Sequence, residues 1–286
     1  MRFAFKTAPQ NTTWSDMLTV WRAADDIEVF ESGWTFDHFY PIFSEPAGPC
    51  LEGWTTLTAL AQATTRLRLG TLVTGIHHRH PAVLANMAAA LDIISGGRLE
   101  LGIGAGWNEE ESDAYGIELG SITERFDRFE EACQVLIGLL SQDTTDFDGR
   151  YFQLANARNE PKGPQRPHPP ICIGGNGEKR TLRITAKYAD HWNFVGGTPQ
   201  EFARKRDVLK AHCADVGRNP KDIMLSAHIR LSAERGARGV IEDAIALGAE
   251  GLDLAIIYLP LPYDPAVLEP LAETIRESGL WHPPAE

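Results

Sequence analysis

Cysteine is scarce in this chain: four in 286 residues, at positions 50, 133, 172 and 213, with no CxxC spacing. That density and scatter exclude a disulfide scaffold and a structural zinc site. Cys133 and Cys172 lie in the apolar runs EEACQVLIGLL and PPICIGG and read as buried small hydrophobes. No apolar run approaches the roughly 18 residues a membrane span needs. The opening MRFAFKTAPQ lacks the apolar stretch of a secretory signal, so the expected address is the cytoplasm. Positive charge is also short, 27 Lys and Arg against 39 Asp and Glu, for a net charge of −12. Such a surface repels polyphosphates and anionic lipid, so neither nucleic acid nor membrane is expected as a partner. GxSxG, a Walker lysine motif and a paired Cys/His signature are missing, which removes most support for hydrolase, nucleotidase and thiol-protease chemistry. Residues 6–12, KTAPQNT, contain no glycine, so the first strand is not followed by the GxGxxG of a doubly wound sheet.

What is present is a repeating order of short β-like runs, each followed by a stretch of helical periodicity. The strand runs are RFAF at 2–5, WTFDHF at 34–39, LRLGTLV at 67–73, RLELGIGAG at 98–106, ICIGG at 171–175, DHWNFV at 190–195, IMLSAHI at 223–229 and LDLAIIY at 252–258. Helices are expected at about 13–31, 54–65, 81–94, 123–140, 178–188, 199–216 and 264–278, with Pro81 suited to a first helical turn. Residues 146–154, DFDGRYFQL, read as a hairpin inside an insertion at about 141–169 that is too short to bury its own core. Eight strands alternating with helices predict one α/β domain over 1–286, a closed (β/α)₈ barrel whose active site gathers at the C-terminal strand ends.

Four of those strand ends carry chemistry. Asp37-His38-Phe39 places an imidazole beside a carboxylate, suited to holding or moving a proton near neutral pH. GGNGEKRT at 174–181 is a glycine-rich turn running into a helix, where backbone amides and Lys179 or Arg180 can meet a phosphate, although tight βα turns need glycine too. GIGAGWNEEE at 102–111 offers Gly104 and Gly106 for close approach of a flat ring, Trp107 as an aromatic wall and Asn108 for hydrogen bonds. Its three glutamates read as a solvated helix start. TLVTGIHHRH at 71–80 holds three histidines, but neighbours on a short loop seldom converge on one ion, so no metal is expected. Arg79 and these histidines are expected to line the entrance.

Taken together, DHF at 37–39, LGTLVTGIHHRHPAVLAN at 69–86, ISGGRLELGIGAGWNEEE at 94–111, ERFDRFEEA, HPPICIGGNGEKRTLRITAKYADHWN and YDPAVLEPLAE give a chain that resembles the luciferase-like monooxygenase superfamily, and within it the F420-dependent oxidoreductases. The resemblance implies a barrel with an insertion after the fourth strand and a non-prolyl cis peptide near Leu72-Val73, in a bulge that supports a deazaflavin ring. It implies that His38 is catalytic, close to the reacting carbon of the ring. Asp37, Thr74, Gly106, Trp107 and Asn108 would contact the ring or its side chain, and Gly174, Gly175, Asn176, Gly177 and Arg180 would hold the phosphate.

The sequence departs from related sugar-phosphate dehydrogenases at Trp107, where those carry an acid, which disfavours sugar-phosphate oxidation. Reduction of an activated C=C, C=N or carbonyl substrate is expected instead, with the proton from His38, a nearby glutamate or water. The segment LSAERGARGVIEDA looks short beside the usual relative, which implies either a trimmed helix between strands seven and eight or altered outer contacts to the cofactor. The expected cofactor is coenzyme F420, with FMN as the alternative in a monooxygenase. A basic exit near Arg79 would favour the acidic tail of F420. The expected partner is a small-molecule substrate, and the expected assembly a homodimer. A non-catalytic flavin-binding barrel is the competing class, opposed by the intact Asp37-His38. An aldolase or isomerase barrel would need a strand-end lysine or carboxylate pair, and none is expected.

Overall fold

The strand-forming runs bury nearly every residue on both faces, a pattern that fits parallel strands covered by helices outside and packed side chains within. The computed structural model describes residues 1–282. Its elements are β1 (Arg2–Lys6), α1 (Trp14–Asp25), β2 (Phe30–Thr35), α2 (Gly53–Ala63), β3 (Arg68–Thr71), β4 (Thr74–Gly75), α3 (Pro81–Ser95), β5 (Leu99–Gly104), α4 (Glu109–Tyr115) and α5 (Ile122–Ser141). They continue as β6 (Thr145–Asp148), β7 (Gln153–Ala157), β8 (Ile171–Gly174), α6 (Thr181–Tyr188), β9 (His191–Phe194), α7 (Pro199–Asp215), β10 (Met224–Arg230), α8 (Gly236–Ala249), β11 (Leu254–Tyr258) and α9 (Leu268–Glu277).

The parallel sheet runs β3-β2-β1-β11-β10-β9-β8-β5, and β3 pairs back onto β5 through Leu69↔Leu99, which closes an eight-stranded barrel. β4 extends the third strand beyond the cis peptide between Leu72 and Val73 and pairs with β5. The antiparallel pair β6–β7 forms the expected hairpin between α5 and β8.

Two expectations shift. The second strand spans Phe30–Thr35 rather than 34–39, and α1 stops at Asp25. Arg66 explains the early stop: its guanidinium donates to the carbonyls of Ala24, Asp25, Ile27 and Phe30, satisfying the helix end from another loop. Asp37 and His38 therefore stand on the loop just past the strand. The helix between the last two barrel strands is not lost, since α8 runs 14 residues.

Two apolar layers hold the barrel. The larger lies between the strands and helices and includes Phe3, Phe5, Trp21, Phe30, Phe129, Trp192 and Phe202, all fully buried. The smaller fills the barrel with Ala4, Trp34, Leu72, Cys172, Leu254 and Ile256. Beside it runs a buried polar thread: Arg68 Nε to Glu100 Oε1 at 2.9 Å, Glu100 Oε2 to His191 Nδ1 at 3.2 Å, and His191 Nε2 to Ser226 Oγ at 2.6 Å. Asn193 Nδ2 then donates to the same Ser226 hydroxyl at 2.9 Å.

Burial raises the pKa of Glu100, but the hydrogen bond and charge of His191, with those of Arg68, outweigh it and bring the carboxyl down to about 2. Its folded value lies below the ordinary 4.5, so the stabilisation is present above that value and is lost as pH falls toward 2. Glu100→Gln is expected to lower unfolding free energy by roughly 3–5 kcal/mol at neutral pH. Urea melts across pH should also show the acid limb of wild-type stability flattened in the variant.

Candidate active site

The strand ends of the barrel open into one cavity of about 1170 Å³. Its wall includes Asp37, His38, Leu72, Val73, Gly106, Trp107, Asn108, Gly174 and Gly175, so the structure brings together most of the residues singled out in the sequence.

The tightest constellation is at His38. Its Nδ1 lies 2.7 Å from Glu111 Oε2, and Glu111 Oε1 accepts the backbone N–H of Phe39, also at 2.7 Å. Glu111 is 1% exposed. Burial raises its pKa, and the bonds from His38 and Phe39 reverse the effect and hold the carboxyl below its ordinary value, so it is ionised at neutral pH. An ionised acceptor on Nδ1 places the proton there and leaves Nε2 as the ring nitrogen available to the cavity.

The reading of all three glutamates as a solvated start is thus correct for Glu109 and Glu110, which are exposed, and wrong for Glu111. Asn108 caps α4 by accepting the Glu111 N–H at 3.2 Å. The first two helical positions then point to water and the third turns inward. The Asn108 cap was the signal that separates Glu111 from its neighbours.

Asp37 is a support. Arg79 grips it with two bonds, at 2.5 and 3.2 Å, and His78 lies 3.7 Å away. Burial acts to raise Asp37, and its cationic neighbours hold it well below the usual carboxylate range. Arg79 also approaches Glu52 at 3.6 Å, so it is not the free basic exit expected at the entrance. The histidines of that loop do three different things. His77 lines the cavity and is held neutral, its pKa pushed to about 3 by burial and then by His78. His78 lies 4.0 Å from Glu111, and His80 caps α3 by accepting the Ala82 N–H. No group of acids, histidines and cysteines able to hold a metal occurs among the described residues.

Val73, after the cis bond, is wedged between two glycines. A Cβ at Gly104 would sit 2.8 Å from one methyl of Val73, and one at Gly174 would sit 2.9 Å from the other. Gly106 has φ +86° and lies against His77, leaving no room for a side chain. Trp107 is 52% exposed, meets His38 edge-on at 5.8 Å and stacks on Phe43 at 5.5 Å.

Four expected contacts lie off the cavity wall. Thr74 is fully buried, bonded to Thr71 and accepting the Trp54 indole N–H at 2.8 Å. Asn176 ties down the next loop by donating to Gly196 O and accepting Val195 N–H. Gly177 packs on Thr181, and Arg180 pairs with Asp127 at 3.1 Å. The start of α6 nevertheless has no side-chain cap.

Sequence reasoning also missed the far wall. Lys6 ends β1, is 5% exposed and donates to the Leu72 carbonyl at 2.8 Å. A strand-end lysine is therefore present after all, hidden because KTAPQNT reads as loop.

Comparison with known proteins gives the chain a family and a shared fold. The chain is 33% identical over 211 residues to a phthiodiolone/phenolphthiodiolone dimycocerosates ketoreductase of Mycobacterium tuberculosis, covering 70% of this chain and 54% of that protein. It is 35% identical over 216 residues to a pyrimidine monooxygenase of Methylobacterium radiotolerans, covering 70% of this chain and 55% of the other. The chain thus spans about half the length of the curated relatives it matches. The coenzyme F420-dependent tetrahydromethanopterin reductase of Methanopyrus kandleri shares the fold, with a TM-score of 0.81 at 17% identity over 97% of each chain. The family described as luciferase-like monooxygenase matches residues 1–267, and the chain belongs to that family of barrel oxidoreductases.

Proposed function

We propose that this protein is an F420-dependent oxidoreductase that reduces a small carbonyl substrate, with His38 as the proton donor. The observation that carries the reading is the pairing of His38 Nδ1 with buried Glu111 on the cavity wall, which fixes the ring and leaves Nε2 free of that bond. A ketoreductase among the relatives and an F420-dependent reductase of the same fold support it.

The residues present fit a flat ring bearing a phosphate. The bulge at Leu72-Val73 offers a wall of small apolar groups, with the Val73 methyls packed against Gly104 and Gly174. Gly174 and Gly175 lie at the rim, followed by the uncapped start of α6, whose amides suit a phosphate. When bound there, a deazaflavin supplies the hydride. His38 supplies the proton that the substrate oxygen gains as its carbon is reduced, and Glu111 stabilises the ring while it is charged. Arg79 and His78 keep Asp37 ionised and the loop of His38 in place.

An FMN-dependent monooxygenase is the second reading, favoured by the neutralisation of Arg79, which removes the basic exit suited to an acidic cofactor tail.

Fluorescence titration of the purified protein is expected to give micromolar or tighter binding of oxidised F420 and weaker binding of FMN. The reverse order moves the protein to the monooxygenases, and binding of neither leaves a non-catalytic barrel. His38→Ala should keep cofactor binding within a few-fold and lower turnover by roughly 10²–10⁴. Gly104→Ala, which drives a methyl into Val73, should weaken cofactor binding about tenfold while circular dichroism stays native.

A further inference from the structure

Three neighbouring barrel strands carry a cluster that the His38–Glu111 site does not use. Lys6 of β1 is in register with Tyr258 of β11, and Tyr258 with Arg230 of β10. Aligned residues on parallel neighbours share a face, so the three side chains meet on the inner wall at one level, with His228 two residues below Arg230 on the same face. All four line the cavity. Tyr258 lies between the cations, its ring centroid 5.3 Å from Lys6 Nζ and 5.4 Å from Arg230 Cζ.

The charge here is uncompensated. Among the described residues neither Lys6 nor Arg230 has a carboxylate within ion-pair distance, and the acid on this wall, Asp243, is held by Arg235 at 2.9 Å. His228 Nε2 is buried without a hydrogen-bond partner. On the loops after β2 and β5 each carboxylate has its own cationic or imidazole partner, Arg79 for Asp37 and His38 for Glu111. Arg230 is exposed, while Lys6 and the unpartnered His228 Nε2 are buried beside it. Buried charge without a partner is costly, and a ligand anion removes that cost.

We propose that Arg230, Lys6 and His228 form a subsite for a carboxylate carried by the substrate, in the same cavity as His38. Arg230 is exposed to the cavity and offers paired N–H donors, Lys6 has two N–H bonds left after Leu72, and Tyr258 backs both. The proposal extends the oxidoreductase reading by naming the substrate class, a keto acid or other small carboxylated carbonyl compound.

A monoanion suits the charge available. Burial, then the charge of Arg230, push the Lys6 ammonium down to about 7, so the pair carries less than two full charges at neutral pH. The groups facing Lys6 are Arg230 and His228 on β10, Tyr258 on β11 and Cys172 on β8. Burial lowers His228 well below its ordinary value and raises Cys172 and Tyr258, so these three stay neutral. Lys6 alone in the cluster changes charge near pH 7, and a bound carboxylate draws a proton onto it.

Calorimetric titration with benzoate, in two buffers of different ionisation enthalpy, reads this directly, with F420 and FMN titrated separately on the same proteins. Benzoate is expected to bind with proton uptake, about tenfold more weakly at about pH 8.5 than at about pH 6. Arg230→Gln should weaken it roughly tenfold or more while leaving cofactor affinity within about twofold. Lys6→Met should abolish the pH dependence and leave residual binding on Arg230.

No benzoate binding, unchanged affinity in Arg230→Gln, or pH dependence persisting in Lys6→Met would each overturn the subsite. So would benzoate competing with the cofactor, or Arg230→Gln weakening both alike, since the cluster would then serve the cofactor's own acidic groups. Binding of neither F420 nor FMN, with benzoate binding intact, would remove the oxidoreductase reading and leave the carboxylate site standing.

Discussion

The carboxylate of Glu111 ties α4 to the loop after β2, and the arrangement of His38 depends on that tie. One oxygen takes Nδ1 of His38 and the other the N–H of Phe39, so a residue of α4 fixes both the ring and the backbone of the loop after β2. Without it, the loop would still be held through Asp37, but the His38 ring would have no partner fixing its tautomer. The bond is strong because Glu111 is buried and ionised, its charge held by His38 and the Phe39 N–H, while Asn108 three residues earlier caps the helix that carries it.

The same pairing explains why the two walls of the cavity differ. Around His38, acids and their partners are matched: Asp37 by Arg79, Glu111 by His38. On the inner faces of β1 and β10, Lys6 and Arg230 stand beside Tyr258 with no acid paired to them among the described residues. Beneath lies the Glu100–His191–Ser226 thread, which ends at Asn193 on the cavity wall. The floor is thereby rigid and polar at one point, and otherwise apolar through Trp34, Leu72 and Ile256.

Much of this was legible in the sequence. The alternation of strands and helices predicted the barrel, because parallel strands buried on both faces read as short apolar runs. The segments DHF, LGTLVTG and GIGAGWN mark loops that meet at one mouth. What sequence could not show were distances set by tertiary contact. Arg79 looked like an entrance cation, but Asp37 lies 42 positions earlier and claims it. Glu111 looked like the third of three helix-start acids until the Asn108 cap fixed which way each points. Lys6 looked like loop because one polar residue after RFAF gives no period, and Arg66 ended α1 from 42 residues beyond the carbonyl of Ala24.

The central claim is that Glu111 sets the tautomer of His38. Nitrogen-15 NMR of the histidine rings, in wild type and Glu111→Ala, tests it most directly. The account predicts that neutral His38 carries its proton on Nδ1 in wild type, with Nε2 bare, and becomes a mixture of tautomers in the variant. A neutral ring protonated on Nε2 in wild type, or identical His38 spectra in the two proteins, would contradict it.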